Sequence, residues 1–158
     1  MSENKNINSV LFVCLGNICR SPSAEAVFRD KAAKAGLDLM IESAGTHGYH
    51  IGKAPDPRSQ KAGEARGYDF SGLACRRVED DDFEKFDYIL GMDSENITNL
   101  KKRCPEELQD KIQLFLSFAD TDFEEVPDPY YGGLKGFELV LDLIESASDG
   151  LIQRISQS

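Results

Sequence analysis

Long apolar runs are missing from this 158-residue chain. Its uninterrupted apolar stretches are only a few residues long, far below the roughly 20 that a membrane-spanning helix requires. The opening residues Met1-Ser-Glu-Asn-Lys-Asn6 lack both the basic start and the apolar stretch of a signal peptide. The expectation is a cytoplasmic protein with no membrane insertion. Repeats, low-complexity tracts and linkers are also lacking, which predicts a single domain over residues 1–158, with an ordered core over about residues 8–157. Positive charge is in short supply. Lysine and arginine number 18 against 28 aspartate and glutamate, a net charge of −10 that argues against nucleic acid or an anionic membrane as partner. Histidine occurs only twice, at His47 and His50, and a pair without a third ligand makes a weak metal site. No metal and no cofactor are expected. Four cysteines, Cys14, Cys19, Cys75 and Cys104, are too few to imply a disulfide scaffold in a chain this long in a reducing compartment.

What is present centres on Val10-Leu-Phe-Val-Cys-Leu-Gly-Asn-Ile-Cys-Arg-Ser-Pro22. Four apolar residues, Val10 to Val13, have the length of a buried strand. A tight turn follows, then Ser21 as N-cap and Pro22 as first helical residue, where its missing N–H costs nothing. Strand, loop and helix N-terminus together form an anion cradle, because orphan N–H groups and the helix dipole converge on one spot. The backbone of Leu15, Gly16, Asn17, Ile18 and Cys19 spans the turn between Cys14 and Arg20. A loop of that length curls so that its N–H groups meet phosphate oxygens, and Arg20 closes the ring with a bidentate contact. A helix N-terminus and a neighbouring cation favour thiolate, the nucleophilic form of cysteine. Cys14 is the candidate nucleophile, with Ser21 placed to donate to its sulfur. The negative net charge does not forbid an anionic substrate, since long-range charge is screened within about 8–10 Å while the cradle acts locally.

The remaining pattern alternates strand and helix. Helices are expected over Pro22 to about Ala35, from Asp56-Pro57 to near Gly67, from an N-cap at Ser94 to about Arg103, and over about Leu134 to Ile155. Strands are expected at Leu39–Ile41, Tyr88–Leu90 and Ile112–Phe115, with Ser43 to Gly52 as a glycine-rich loop. The acidic run Glu79-Asp-Asp-Asp82 reads as a solvated helix start. The fold class that follows is α/β, a three-layer sandwich of four parallel strands with helices on both faces and the phosphate loop after strand 1. Ligands of such sheets bind beyond the C-terminal strand ends, where residues 14–20 lie.

A thiol attacking phosphorus needs an acid for the leaving oxygen. Pro127-Asp-Pro-Tyr-Tyr-Gly-Gly133 supplies one, with Asp128 stiffened by two prolines and Tyr130 and Tyr131 as aromatic walls.

Cys14-Leu-Gly-Asn-Ile-Cys-Arg-Ser-Pro22, Ser43-Ala-Gly-Thr46 and Asp128-Pro-Tyr-Tyr131 resemble the low-molecular-weight protein tyrosine phosphatases, as do Phe86-Asp-Tyr-Ile-Leu90 and Met92-Asp93. The resemblance covers nearly the whole chain. It implies a metal-independent hydrolase that cleaves phosphotyrosine and small aryl phosphate monoesters through a cysteinyl-phosphate. Cys14 would be the nucleophile, Arg20 the phosphate binder and Asp128 the general acid and then base. Asn17, Ser21 and Ser43 would support the loop, and Tyr49, Tyr130 and Tyr131 would line the entrance. The expected partners are a phosphotyrosine-containing protein and, as product, inorganic phosphate. Ile18 points to phosphotyrosine, since relatives acting on phosphoarginine resemble one another in carrying threonine there. Cys19 is either loop packing or, by resemblance, the partner of a reversible disulfide that shields Cys14. Two other functions compete. Arsenate reduction needs relay cysteines a few residues apart, and Cys75 and Cys104 are 29 apart. A phosphotyrosine-binding module would fit a loop lacking nucleophile or acid.

Overall fold

A computed structural model describes residues 7–16, 19–48, 51–127 and 133–156, the side chains of 133–135 excepted. Four strands form one sheet: β1 (Ser9–Cys14), β2 (Met40–Gly45), β3 (Tyr88–Gly91) and β4 (Ile112–Leu114). Their order is β2-β1-β3-β4, and every pairing is parallel. Among the described residues five α-helices accompany them: α1 (Arg20–Lys34), α2 (Pro57–Glu64), α3 (Asp82–Lys85), α4 (Ser94–Arg103) and α5 (Gly133–Ser156).

Strand alternation sends successive β1 side chains to opposite faces. Val10, Phe12 and Cys14 enter a core with Val27 and Phe28 of α1 and with Leu141 and Ile144 of α5. Leu11 and Val13 enter a second core with Phe83 of α3, Phe86, Ile89 and Leu100 of α4. A strand apolar on both faces is what a central strand of a covered parallel sheet requires, and the three layers expected from the sequence are present.

Several local expectations are corrected. β2 runs from Met40 to Gly45, so Ser43 to Gly45, where the loop was expected to begin, continue the strand. Each of these residues pairs with β1, ending at Cys14 opposite Gly45, so tertiary pairing overrides local polarity. At Gly45 the strand also makes a parallel bridge to Arg77. Asp93, not Ser94, caps α4: its side chain accepts from the Asn96 N–H in a reciprocal capping box. The final helix starts at Gly133 and the first at Arg20, each slightly earlier than its pattern suggests. Asp82 of the acidic run is buried, not solvated. It takes both Arg76 nitrogens at 2.9 and 3.1 Å and the Glu79 N–H at 2.8 Å.

Candidate functional site

Cys14 is the last residue of β1 and is buried. Its carbonyl accepts from the Thr46 N–H and that of Leu15 from the His47 N–H, both at 2.9 Å. These two bonds strap the start of the loop to the chain leaving β2. Leu15 itself is 37% exposed, so the residue after the thiol faces outward.

The return from the loop differs from the sequence reading in one instructive way. Helix α1 begins at Arg20, with Cys19 in the cap position and no side-chain capping bond. Ser21 is therefore inside the first turn rather than at its cap. Its hydroxyl lies 3.0 Å from the Cys14 sulfur and 3.5 Å from the Ala44 carbonyl oxygen. A serine that would satisfy a helix end serves the thiol instead. Pro22 still falls among the first four helical residues, whose N–H groups have no intrahelical acceptor.

Arg20 is buried, and its guanidinium Nη1 donates to Asp93 Oδ2 at 2.8 Å and to the Val126 carbonyl at 3.0 Å. Asp93 has two duties: Oδ1 caps α4 through Asn96 and Oδ2 holds Arg20. Sequence reasoning assigned no role to Asp93. Its signal was an aspartate just after strand Tyr88–Leu90, ahead of a helical pattern. The Val126 carbonyl carries no side-chain signal at all.

Behind the loop, the Ser43 hydroxyl donates to Glu25 Oε1 at 2.6 Å, and Glu25 also pairs with Arg29. Burial pushes the Glu25 carboxyl above its ordinary range, with the Ser43 bond and Arg29 pulling the other way. Glu25 thus joins α1 to β2 on either side of the loop, another contact the sequence reading passed over.

The four cysteines are all buried thiols. Burial pushes Cys75 up, and the nearby Cys14 adds to the effect; burial also raises Cys104. Both are therefore poorer nucleophiles at neutral pH than an ordinary thiol. Cys104 lies in the core cluster of Leu11 and Val13, opposite the one holding Cys14.

The structure brings Cys14, Ser21, Arg20, Leu15, Gly16 and Cys19 together at the end of β1. Asn17, Ile18, Tyr49, His50, Asp128, Tyr130 and Tyr131 lie outside the described residues. Among the described residues no cluster of three or more metal-ligating side chains occurs, and no helix is long and apolar enough to cross a membrane. A thiol beside a hydroxyl, at a helix N-terminus whose first residue is an oriented arginine, is an arrangement able to bind an oxyanion and attack it.

Comparison with known proteins agrees with this geometry. Residues 9–158 match the family model described as low molecular weight phosphotyrosine protein phosphatase. A low molecular weight protein-tyrosine-phosphatase of Bacillus subtilis, YfkJ, is 45% identical over 152 residues, covering 94% of this chain and 96% of that protein. A low molecular weight phosphotyrosine protein phosphatase of Schizosaccharomyces pombe is 47% identical, covering 84% and 86%. A crystal structure of a protein tyrosine phosphatase from Entamoeba histolytica, with Hepes in its active site, superposes with a TM-score of 0.91 at 44% identity. The match covers 95% of this chain and 97% of that one. With its fold, the arrangement of Cys14, Arg20 and Ser21 and these relatives in agreement, the chain belongs to the low molecular weight phosphotyrosine protein phosphatase family of hydrolases.

Proposed function

We propose that residues 1–158 act as one catalytic domain that hydrolyses phosphotyrosine in proteins, and small aryl phosphates, without a metal. The Cys14 thiolate attacks phosphorus, and the bond from phosphorus to the aryl oxygen breaks. Asp128 gives its proton to that oxygen, releasing tyrosine. The Asp128 carboxylate then takes a proton from water as the water oxygen attacks phosphorus. The S–P bond breaks, and inorganic phosphate leaves with the thiolate restored. Arg20 and the N–H groups of Leu15, Gly16, Asn17, Ile18, Cys19 and Ser21 hold the phosphoryl oxygens where charge builds up. Tyr49, Tyr130 and Tyr131 wall the aryl ring. The setting is the cytoplasm, where a catalytic thiol stays reduced.

The observation that carries this reading is the 3.0 Å approach of the Ser21 hydroxyl to the Cys14 sulfur. A hydroxyl bond of that kind stabilises sulfur most when it bears charge, before attack and again as leaving group. Arsenate reduction is a poorer fit, since Cys104 sits on the far side of the sheet from Cys14.

The test is turnover of an aryl phosphate in the presence of a chelator. Cys14→Ser should abolish it while vanadate binding largely survives. Asp128→Ala should cost more on phosphotyrosine than on an aryl phosphate with an activated leaving group. Unchanged turnover in the first variant rejects Cys14 as nucleophile, and equal losses on both substrates remove Asp128 as acid.

A further inference from the structure

Beside the site, residues 122–127 enclose an open groove of about 470 Å³, lined by Asp122, Phe123, Glu124, Glu125 and Pro127. Its one aromatic side chain, Phe123, is 46% exposed, more than any other large apolar side chain among the described residues except Ile51. An aromatic ring held in water beside a proline is apolar surface still available for burial.

Charge around the groove is one-sided. From Ala119 to Pro127 the chain holds Asp120, Asp122, Glu124 and Glu125, with no lysine or arginine. Acidic residues elsewhere in the fold are widely neutralised, by Arg29, Arg66, Arg76, Arg103 and Lys31 among others. Among the described residues, none of Asp120, Asp122, Glu124 and Glu125 takes part in an ion pair. Glu125 instead accepts from the Ser94 N–H at 2.7 Å and from the Ser94 hydroxyl, which anchors the groove to the start of α4.

The segment that forms the groove is tied to the candidate site through the backbone of Val126, itself buried. That residue gives its N–H to the Met92 carbonyl at 2.8 Å and takes Arg20 on its own carbonyl. Pro127 at the groove's end is covalently joined to Asp128. The residues on either side of Val126 are thus held close to Arg20, within reach of a peptide whose phosphotyrosine lies on it.

We propose that this groove is a docking surface for the substrate peptide. It selects phosphotyrosine sites flanked by lysine or arginine next to an apolar residue, which packs on Phe123. The inference rests on the phosphatase reading, and it names the class of phosphoprotein which that reading leaves open. Carboxylates without an ion-pair partner around the exposed Phe123 ring would repel an acidic flank and attract a basic one. The attraction should appear mainly in KM and weaken with salt.

The test compares kcat/KM on two matched phosphotyrosine peptides, one lysine-flanked and one glutamate-flanked, with para-nitrophenyl phosphate as the reference. The lysine peptide should be preferred by about five- to tenfold at low salt, as expected from two or three exposed ion pairs. Asp122→Lys with Glu124→Lys should abolish or reverse the preference. Phe123→Ala should lower the lysine peptide's kcat/KM relative to the reference. Glu106→Lys with Asp110→Lys makes the same change in net charge on the exposed 106–111 turn and should leave the preference in place. Turnover of the reference with no peptide preference, or with a preference that both double variants alter equally, overturns the docking surface and leaves the phosphatase reading standing. No turnover of any aryl phosphate overturns both.

Discussion

Arg20 and Val126 are joined by a 3.0 Å hydrogen bond from guanidinium to carbonyl, across 106 residues of sequence. The same nitrogen donates to Asp93 at 2.8 Å. The arginine that opens α1 is thereby fixed between the start of α4 and the segment leading to Asp128. In the proposed reaction, the phosphate binder is then oriented by the fold before substrate arrives. Such preorganisation removes reorganisation from the barrier.

Asp93 should therefore influence both stability and phosphate binding. Asp93→Ala removes an N-cap worth about 1 kcal/mol of folding stability and releases Arg20. Asp93→Asn keeps a capping oxygen and loses only the charge. Urea denaturation should show the larger loss for alanine, while both variants should raise the inhibition constant of inorganic phosphate. Unaltered phosphate inhibition in both would mean that Asp93 does not orient Arg20.

Ser21→Ala should act on the second half of the reaction. Hydrogen bonds to charged groups contribute about 1.5–3 kcal/mol, which corresponds to a fall in kcat of roughly 10- to 100-fold with a small change in KM. Rapid-quench kinetics should show a burst of phenol followed by slow turnover. Wild-type kcat in this variant would show that the 3.0 Å contact with Cys14 has no catalytic consequence.

Burial holds the Glu25 carboxyl above the ordinary glutamate range, with Ser43 and Arg29 opposing. Between the unfolded and folded values the folded protein binds more protons than the unfolded chain, so stability falls as pH rises through that window. The contribution is complete below the unfolded value and lost above the folded one. Glu25→Gln cannot titrate, so its unfolding free energy should fall less than that of wild type from acid pH toward neutrality. Parallel curves for the two proteins would contradict the assigned burial.

Gly150 tests the packing of α5. A Cβ there would lie 1.8 Å from the Phe118 carbonyl oxygen, a backbone atom that no side-chain rotation can move. Gly150→Ala should destabilise by about 1–3 kcal/mol or more by overpacking, despite alanine's better helix propensity. A gain in melting temperature would show that α5 and residues 115–118 separate easily.

The sequence was most readable where local and global signals coincide. Val10 to Val13 are apolar on both faces and sit in the middle of the sheet, so run length alone located β1. Pro57 behind Asp56 marked the start of α2, where Asp56 accepts from the Arg58 N–H at 2.8 Å. Legibility failed where a partner arrives from far along the chain. Ser43 to Gly45 look like loop because an edge strand needs no apolar run; only the register with β1 makes them a strand. Ser21 has the chemistry of a cap, and nothing local reveals that the helix starts two residues earlier and turns its hydroxyl to Cys14. Asp93 reaches Arg20 because β1 and β3 are neighbours with both C-terminal ends at one edge, a topological fact. The candidate nucleophile and phosphate binder were thus legible as residues, and the contacts that orient them were not.

The central claim is that phosphate passes through the Cys14 sulfur. The most direct measurement is mass spectrometry of the protein after acid quench during steady turnover of an aryl phosphate. The account predicts one added phosphoryl group on the peptide containing Cys14, more of it in Ser21→Ala and none in Cys14→Ser. Undiminished turnover with no phosphoryl group on Cys14 in either active protein, or with the label on another residue, would contradict it.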